Sequence, residues 1–380
     1  MWPIVKKIED NYVVWFPQSN RWVRFEEPAW YVNELFQEGF EMRTIAERFT
    51  RRYGIEAGQS IQLVETICGY IQESSQTSNL SSGESDTTDP EKFVLAEPYS
   101  TKMYSTSGIL FGISFSSPLA EYYIHPPLAH LETRGDSCIQ DVSFNIIDQG
   151  EQQIIKRNGA TPSAWVYNDF MKIKKRLYID LAGLIYNKKN SDWLCFVHAS
   201  ALTNGTKTIL LSSTSGSGKS TLAALMQTKG IQVISDDFVP IGHEPVMVYP
   251  FPAAISVKQG AFPVLSKYYP DWNTYPFKTT CQGKIGYIPI RDAHEMDRKA
   301  REVKEIVFVR YDPGVKGKLD RLTTLEALKL FHDQSWVSFR SEHARTFINW
   351  FAERDCYTLV YSDPEAGMNN ISKLFGNRGE

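Results

Sequence analysis

The chain has 380 residues, a net charge of −3 and 42% hydrophobic residues, enough for two or three domains that each bury a core. No apolar run is long enough to cross a membrane, and the N-terminal residues MWPIVKK lack the apolar stretch of a signal peptide, so the sequence predicts a cytoplasmic protein without a membrane partner. The five cysteines form no CxxC pair, which argues against a disulfide framework or a zinc site.

Residues 1–73 are predicted to form a small α+β domain. Two runs of β-forming residues, 12–16 and 22–25, flank the turn PQSN and predict a hairpin. Three helical patterns follow: residues 29–38, a second helix that starts at Thr44 with Glu47 as a capping box and stops at Gly54, and a third whose buried stripe comprises Ile61, Val64, Cys68 and Ile71.

This arrangement resembles the PqqD-like peptide-recognition domain, a winged-helix relative found in the biosynthesis of ribosomally made, modified peptides (RiPP biosynthesis). The resemblance implies that a leader peptide binds as an added strand at the exposed edge of the hairpin. A winged helix could also bind DNA, but residues 1–73 carry 8 Lys and Arg against 11 Asp and Glu, the wrong sign for a nucleic-acid partner. A domain that only packs on its neighbour is the alternative.

Residues 74–92 are predicted to be a flexible linker, because the segment is polar, acidic and almost free of apolar side chains. Residues 93–160 contain short alternating runs and predict a β-rich antiparallel extension that joins the sheet of the following domain. Residues 164–188 then predict a long helix with a buried stripe formed by Phe170, Ile173, Leu177, Leu181 and Leu184.

The segment that carries chemistry begins with an apolar run at 208–211, continues through STSGSGKS and enters a helical pattern at 221–229. A strand, a glycine-rich loop and a helix in this order are typical of a loop that binds the phosphates of ATP. Ser213 stands where the usual motif has glycine, which is acceptable only if its φ is not positive. The predicted nucleotide-binding residues are Ser213, Thr214, Ser215, Gly216, Ser217, Gly218, Lys219, Ser220 and Thr221.

Two acidic residues follow the next strand, which residues 231–234 predict as a buried parallel strand. Asp236 and Asp237 can divide the work of phosphoryl transfer, one serving Mg²⁺ together with the Ser220 hydroxyl and the other accepting the proton of an attacking hydroxyl. His198 closes the preceding apolar run 194–197 and is also expected at the end of a strand. Which aspartate is the base is left open by the sequence.

These segments together resemble the core of HPr kinase/phosphorylase and its relatives, which carry a histidine before the strand, a GxSGxGKS loop and an Asp-Asp pair one helix later. The resemblance is specific over residues 193–260 and extends to about 375 only as a pattern of elements. It implies an α/β P-loop kinase domain over residues 93–380, with His198 tuning the aspartate pair, Ser220 and one aspartate serving the metal, and the other aspartate acting as the base. Our working assignment gives the metal to Asp236 and the role of base to Asp237. No segment matches the signature used in phosphorolysis, which makes the reverse reaction doubtful.

The remainder of the chain predicts continued α/β structure in the same sheet. The predicted elements are a strand at 305–309, helices at 324–333 and 342–354, a strand at 357–361 and a helix after Pro364. Lys258 and Lys284 lie beside predicted strands and could reach a phosphate, although solvated surface lysines are the better interpretation of each.

The sequence therefore predicts an ATP- and Mg²⁺-dependent phosphotransferase that modifies a Ser or Thr hydroxyl of a precursor peptide captured by residues 1–73. The alternatives are a kinase of a small metabolite or carrier protein, nucleotidyl transfer in place of phosphoryl transfer, and a non-catalytic nucleotide-binding scaffold. A homo-oligomer is left open.

Overall fold

The computed structural model describes residues 3–76, 88–133, 142–281 and 283–376. They divide into two compact units, and the first combines residues 1–83 with residues 337–353, while the second combines 84–336 with 354–380. Within the described ranges, no helix is both long and apolar enough to span a bilayer. Most of the predicted linker, residues 77–87, lies outside the described residues.

The first unit begins with a three-stranded antiparallel sheet followed by three helices. Its elements are β1 (Ile4–Ile8), β2 (Asn11–Phe16), β3 (Arg21–Glu26), α1 (Glu27–Gln37), α2 (Met42–Tyr53) and α3 (Ala57–Ser75). The β2–β3 hairpin is confirmed, and β1, which the sequence analysis missed, pairs with the other side of β2. Strand β3 is therefore the edge of the sheet on the hairpin side.

Two details of these helices differ from prediction. Helix α2 begins at Met42 with Glu41 as its N-cap, so the capping box predicted at Thr44 is wrong, whereas the stop at Gly54 is confirmed by its φ of 66°. On α3, Val64, Cys68 and Ile71 are buried as predicted, but Ile61 is 43% exposed.

The second unit opens with its own five-stranded sheet. The elements are β4 (Ser100–Thr106), β5 (Ile109–Phe115), α4 (Pro118–Ile124), β6 (Val142–Asp148), β7 (Gln153–Asn158), β8 (Ser163–Tyr167) and α5 (Phe170–Tyr186). The β-rich prediction holds, but the expected union with the next sheet is wrong, and β5 pairs with β6 in parallel. Because residues 163–167 form β8, helix α5 begins at Phe170, six residues after the start that the sequence predicted.

Three further sheets are formed by the strands after α5. The first elements in this part of the chain are β9 (Trp193–Val197), β10 (Ala199–Thr203), β11 (Thr208–Ser212), α6 (Lys219–Thr228), β12 (Gln232–Asp236) and β13 (Val239–Gly242). Then come β14 (Ile255–Lys258), α7 (Phe262–Leu265), β15 (Phe277–Thr280), β16 (Gly283–Ile288), β17 (Val303–Tyr311), β18 (Gly317–Arg321), α8 (Thr324–His332), β19 (Ser335–Val337), α9 (Ser341–Ala352), β20 (Asp355–Tyr361) and α10 (Pro364–Leu374).

The strands form a mixed six-stranded sheet in the order β12-β10-β11-β17-β20-β18 and two three-stranded sheets, β13-β9-β19 and β14-β16-β15. Strand β12 runs antiparallel to β10, so the parallel strand predicted at residues 231–234 is wrong in direction. Parallel pairing joins β11 to β17 and β17 to β20. The chain thus has a mixed α/β fold with several sheets.

Helix α5 supplies much of the core of the second unit. Phe170, Ile173, Leu177 and Leu181 are buried as the stripe predicted, and they belong to one apolar cluster that also contains Leu222 of α6. Helix α9 was predicted to continue the large sheet, but it belongs to the first unit, where it packs against β1.

Candidate active site

The glycine-rich loop connects the buried strand β11 to the start of α6. Gly216 and Gly218 have φ angles of 89° and 95°, a region that favours glycine. Ser213 does not have a positive φ, so the condition placed on a serine at this position is met. The first α-helical bond is donated by Leu222 to the Gly218 carbonyl, so the N–H groups of the preceding residues at the helix start have no intrahelical acceptor and can bind an anion.

Two side chains lie close to the loop. The Tyr361 hydroxyl donates a hydrogen bond to the Gly218 carbonyl at 3.0 Å, and it lies 2.8 Å from where a Cβ on Gly218 would stand. The Nζ atom of Lys258 lies 3.7 Å from the equivalent Cβ position at Gly216. Tyr361 therefore holds the end of the loop that leads into α6, and Lys258 places a positive charge beside Gly216.

Asp236 closes β12 and is 1% exposed. Its Oδ1 accepts hydrogen bonds from the hydroxyls of Ser200, at 2.5 Å, and Ser220, at 3.1 Å, while its Oδ2 accepts one from the Ser256 N–H at 3.0 Å. Ser200 lies on β10, which pairs with β12, Ser256 lies on β14 of a neighbouring sheet, and Ser220 is the second residue of α6. The carboxylate is thus held in one orientation beside the start of that helix.

Asp237 points elsewhere because its backbone adopts a φ of 62° directly after the strand. Its Oδ1 lies 3.4 Å from Lys219 Nζ and 3.8 Å from His198 Nδ1. The Lys219 side chain is 4% exposed, whereas that of Asp237 is 29% exposed. Asp237 is therefore the member of the pair that a reactant could contact.

His198 occupies the single position between β9 and β10, where the chain passes from a three-stranded sheet to the six-stranded one. Its backbone N–H donates to the Gln334 carbonyl at 2.8 Å. Burial and the nearby Lys219 charge lower the pKa of His198, which keeps the ring neutral near pH 7. Its place at the end of β9 was predicted from the sequence, and its place beside Asp237 is the one that the family resemblance implied.

The two carboxyl groups differ in acidity. Burial and the charge of Asp237 raise the pKa of Asp236 to about 6. Burial alone would also raise the pKa of Asp237, but the positive charges of Lys219 and Lys174 lower it below the ordinary value. Asp237 therefore stays ionised near neutral pH.

Three contributors were missed by sequence reasoning. Ser200 lies in β10, Tyr361 ends β20, and Lys174 lies on α5, from where its charge acts on both aspartates. The alternation of β10 could have suggested Ser200, since it lies two residues after His198. Nothing in the sequence placed α5 beside the aspartates.

Most predicted site residues come together. Ser213, Ser217, Gly218, Lys219 and Ser220 lie between β11 and the aspartates, and the Ser213 and Ser217 hydroxyls are hydrogen-bonded to each other. Thr214, Ser215 and Gly216 are exposed at the loop tip, and Thr221 is half-buried in the first turn of α6. Lys284, by contrast, is exposed on β16.

The oxygen donors fit a magnesium ion better than a softer metal. No group of three or more His, Cys, Asp or Glu side chains that could hold a metal occurs in the described ranges. Ser220 and Asp236 bring a hydroxyl and a carboxylate oxygen to within 3.1 Å of each other next to the phosphate-binding loop. Mg²⁺ takes one or two protein oxygens and completes its shell with water and phosphate, which this pair suits.

No family model matches the chain, and no curated protein matches its sequence. The matching solved structures include the Hpr(Ser) kinase/phosphatase from Coxiella burnetii, which is 13% identical over 48% of this chain and 93% of that chain, with a TM-score of 0.21. A TM-score of this size establishes neither a shared fold nor a shared activity, so function has to be argued from the site itself.

Proposed function

We propose that the chain is an ATP- and Mg²⁺-dependent kinase that phosphorylates a Ser or Thr hydroxyl of a ribosomally synthesised precursor peptide bound by its N-terminal unit. The observation that carries the proposal is a pair of adjacent contacts. Lys219 and Ser220, consecutive residues at the start of α6, each contact one of the two aspartates. A nucleotide held by the loop would have its terminal phosphate facing both carboxylates.

The two aspartates are given different roles by their neighbours. Asp236, fixed beside the Ser220 hydroxyl, would serve the metal, and Asp237, ionised and partly exposed, would accept the proton of the acceptor hydroxyl. Bound Mg²⁺ would neutralise developing phosphate charge and favour ionised Asp236. Neutral His198 would orient Asp237, and Lys219 would leave Asp237 to stabilise the transferred phosphoryl group.

The first unit offers an edge for an extended peptide. Strand β1 occupies one side of the hairpin and β3 ends the sheet on the other, pairing only with β2 among the residues described. A peptide added to β3 would bind through its backbone and be selected through alternate side chains. This supports capture of a leader peptide, as the resemblance to PqqD-like domains implies.

The test uses the full-length chain, γ-labelled Mg-ATP and a precursor peptide encoded beside its gene. We expect label on the peptide and a mass increase of one phosphoryl group. Lys219→Ala should abolish transfer and leave peptide affinity unchanged, because the loop and the β3 edge belong to different units. Asp237→Asn should lower kcat by about 10²–10⁴ with Mg-ATP binding retained, whereas Asp236→Asn should raise the Mg²⁺ concentration needed for half-maximal rate.

Lys229→Ala is the matched control, since this exposed lysine lies just past the other end of the same helix. Wild-type kcat in Asp237→Asn would contradict the assigned base. Tight nucleotide binding without transfer to any acceptor would indicate a non-catalytic scaffold, and addition of a nucleotidyl group would indicate a different transferase. Efficient phosphorylation of a small metabolite or carrier protein, with no preference for peptide, would favour that class of acceptor instead.

A further inference from the structure

A second group of charges lies beyond Asp237, on elements that the proposed phosphoryl transfer does not use. Lys174 comes from α5 and Lys278 from β15, and Lys278 is only 5% exposed. Lys174 lies one helical turn after Phe170 on α5, on the same face of the helix, and its charge acts on Asp237 and on Lys278. In the described part of the chain, neither ammonium has a carboxylate within 4 Å.

The surroundings of Lys278 are aromatic. Its Nζ lies 3.6 Å from the centre of the Tyr123 ring and 5.3 Å from that of Tyr122, both on α4. Tyr123 stacks on Phe170 with ring centres 4.9 Å apart. The Tyr122 hydroxyl accepts a hydrogen bond from the Thr279 N–H at 2.7 Å and donates one to the Thr279 carbonyl. These contacts hold the lysine in place without neutralising it.

Burying a lysine without a counter-ion is unfavourable. Burial, and secondly repulsion from Lys174, lower the pKa of Lys278 to about 8, and burial also lowers the pKa of Lys174. Lys219 and Lys174 both act on Asp237, and Lys278 adds a third ammonium group beside Lys174, so positive charge exceeds the two carboxylates of the aspartate pair. A bound nucleotide would engage Lys219 and leave Lys174 and Lys278 facing the acceptor side.

We propose that Lys174 and Lys278 bind an anionic group, a carboxylate or a phosphate, carried by the acceptor next to the hydroxyl that is phosphorylated. This inference rests on the proposed kinase function. An anion there would supply the missing counter-charge for both ammonium groups and hold the hydroxyl against Asp237. The rigid aromatic wall would limit the acceptor to one position.

The first test measures anion binding without catalysis. The full chain is saturated with Mg-ADP, and its Tm is recorded with acetate, inorganic phosphate or chloride at equal ionic strength. We expect acetate or phosphate to raise the Tm by about 2 °C or more over chloride. Lys174→Met and Lys278→Met should lose this increment, while Lys172→Met, an exposed lysine on the same helix, should keep it.

Lys278→Met should itself fold at least as stably as the wild type, because the substitution removes an unpaired buried charge. No anion-dependent increment in the wild-type chain, or an equal increment in Lys278→Met, would overturn the proposal.

The second test compares model acceptors in which serine is followed by Asp, by Asn or by phosphoserine, or ends the peptide as a free carboxylate or an amide. Anionic acceptors should have at least about tenfold higher kcat/KM than neutral ones, and Lys278→Met should lose this preference through KM. The preferred acceptor identifies the source of the anion. If no acceptor is phosphorylated but the Tm difference persists, the kinase proposal fails and the anion site stands; equal use of Asn and Asp peptides by the wild type would refute the site.

Discussion

Adjacent carboxylates at the end of β12 acquire different properties from a single backbone angle. If β12 continued through Asp237, the two side chains would point to opposite faces of the sheet. Instead Asp237 takes a left-handed conformation, which Asp tolerates better than most residues, and turns toward Lys219 and His198. Asp236 stays inside with three hydrogen-bond donors. One group thus becomes buried and weakly acidic, and its neighbour becomes accessible and ionised.

Gly218 leaves no room for a side chain beside Tyr361. Gly218→Ala would place a methyl group 2.8 Å from the Tyr361 hydroxyl at a φ of 95°. We expect a loss of about 1–2 kcal/mol in the free energy of unfolding and, because the loop must move, ADP binding weakened by about tenfold or more. Urea unfolding measures the loss of stability, and titration calorimetry measures the ADP affinity.

Gly230→Ala is the control, since Gly230 has a φ of 85° with nothing within 4 Å of the added methyl group. It should show the unfolding penalty and keep wild-type ADP affinity. Equal ADP affinity in both variants would show that Tyr361 does not fix the loop.

The sequence predicted elements that are contiguous along the chain, but it did not predict how distant strands pair. The β11–loop–α6 unit was predictable because its glycines, apolar run and helical pattern are contiguous in sequence. The direction of β12 was not, since an antiparallel neighbour, β10, precedes β11 in the chain and no local signal reports that pairing. Likewise Lys174 reaches the aspartates only through the packing of α5.

Helix α3 shows the limit of periodicity within one element. The stripe predicted Ile61 and Val64 as buried, yet Ile61 is 43% exposed and Val64 is 0% exposed. Ile61→Ala should therefore change the free energy of unfolding by less than about 0.5 kcal/mol, and Val64→Ala should lower it by about 2 kcal/mol. Urea denaturation of the two variants measures this, and a larger loss for Ile61→Ala would mean that its side chain is buried in solution.

At the scale of the whole molecule, the first unit is built from two separate stretches of sequence. Helix α9 lies about 260 residues after α3, yet Ala344, Phe347, Ile348 and Phe351 are buried in this helix, and the Phe347 ring lies 5.7 Å from that of Trp22. The predicted linker is therefore one of three covalent connections between the units, with the others at 336–337 and 353–354.

Because the first unit also contains α9, deleting the N-terminal residues removes only part of it. Removing residues 1–90 deletes the sheet against which α9 packs, and each large apolar side chain then exposed costs about 1.5–3 kcal/mol. We expect the truncated chain to aggregate whatever the role of the first unit, whereas the same truncation with Phe347→Ser, Ile348→Ser and Phe351→Ser should remain monodisperse. Light scattering measures both. A soluble, monodisperse simple truncation would show that α9 does not depend on residues 1–90.

Because the first unit is built from two stretches of sequence, it cannot be moved to another protein as one continuous segment. Grafting residues 1–83 alone onto another protein would transplant an incomplete module, because α9 would be left behind. A transferable version needs the stretch 337–353 joined to it by a new connection, for instance ahead of β1, against which that helix packs. Any shuffling event that moved the N-terminal segment between genes would face the same requirement, so the two stretches are expected to travel together.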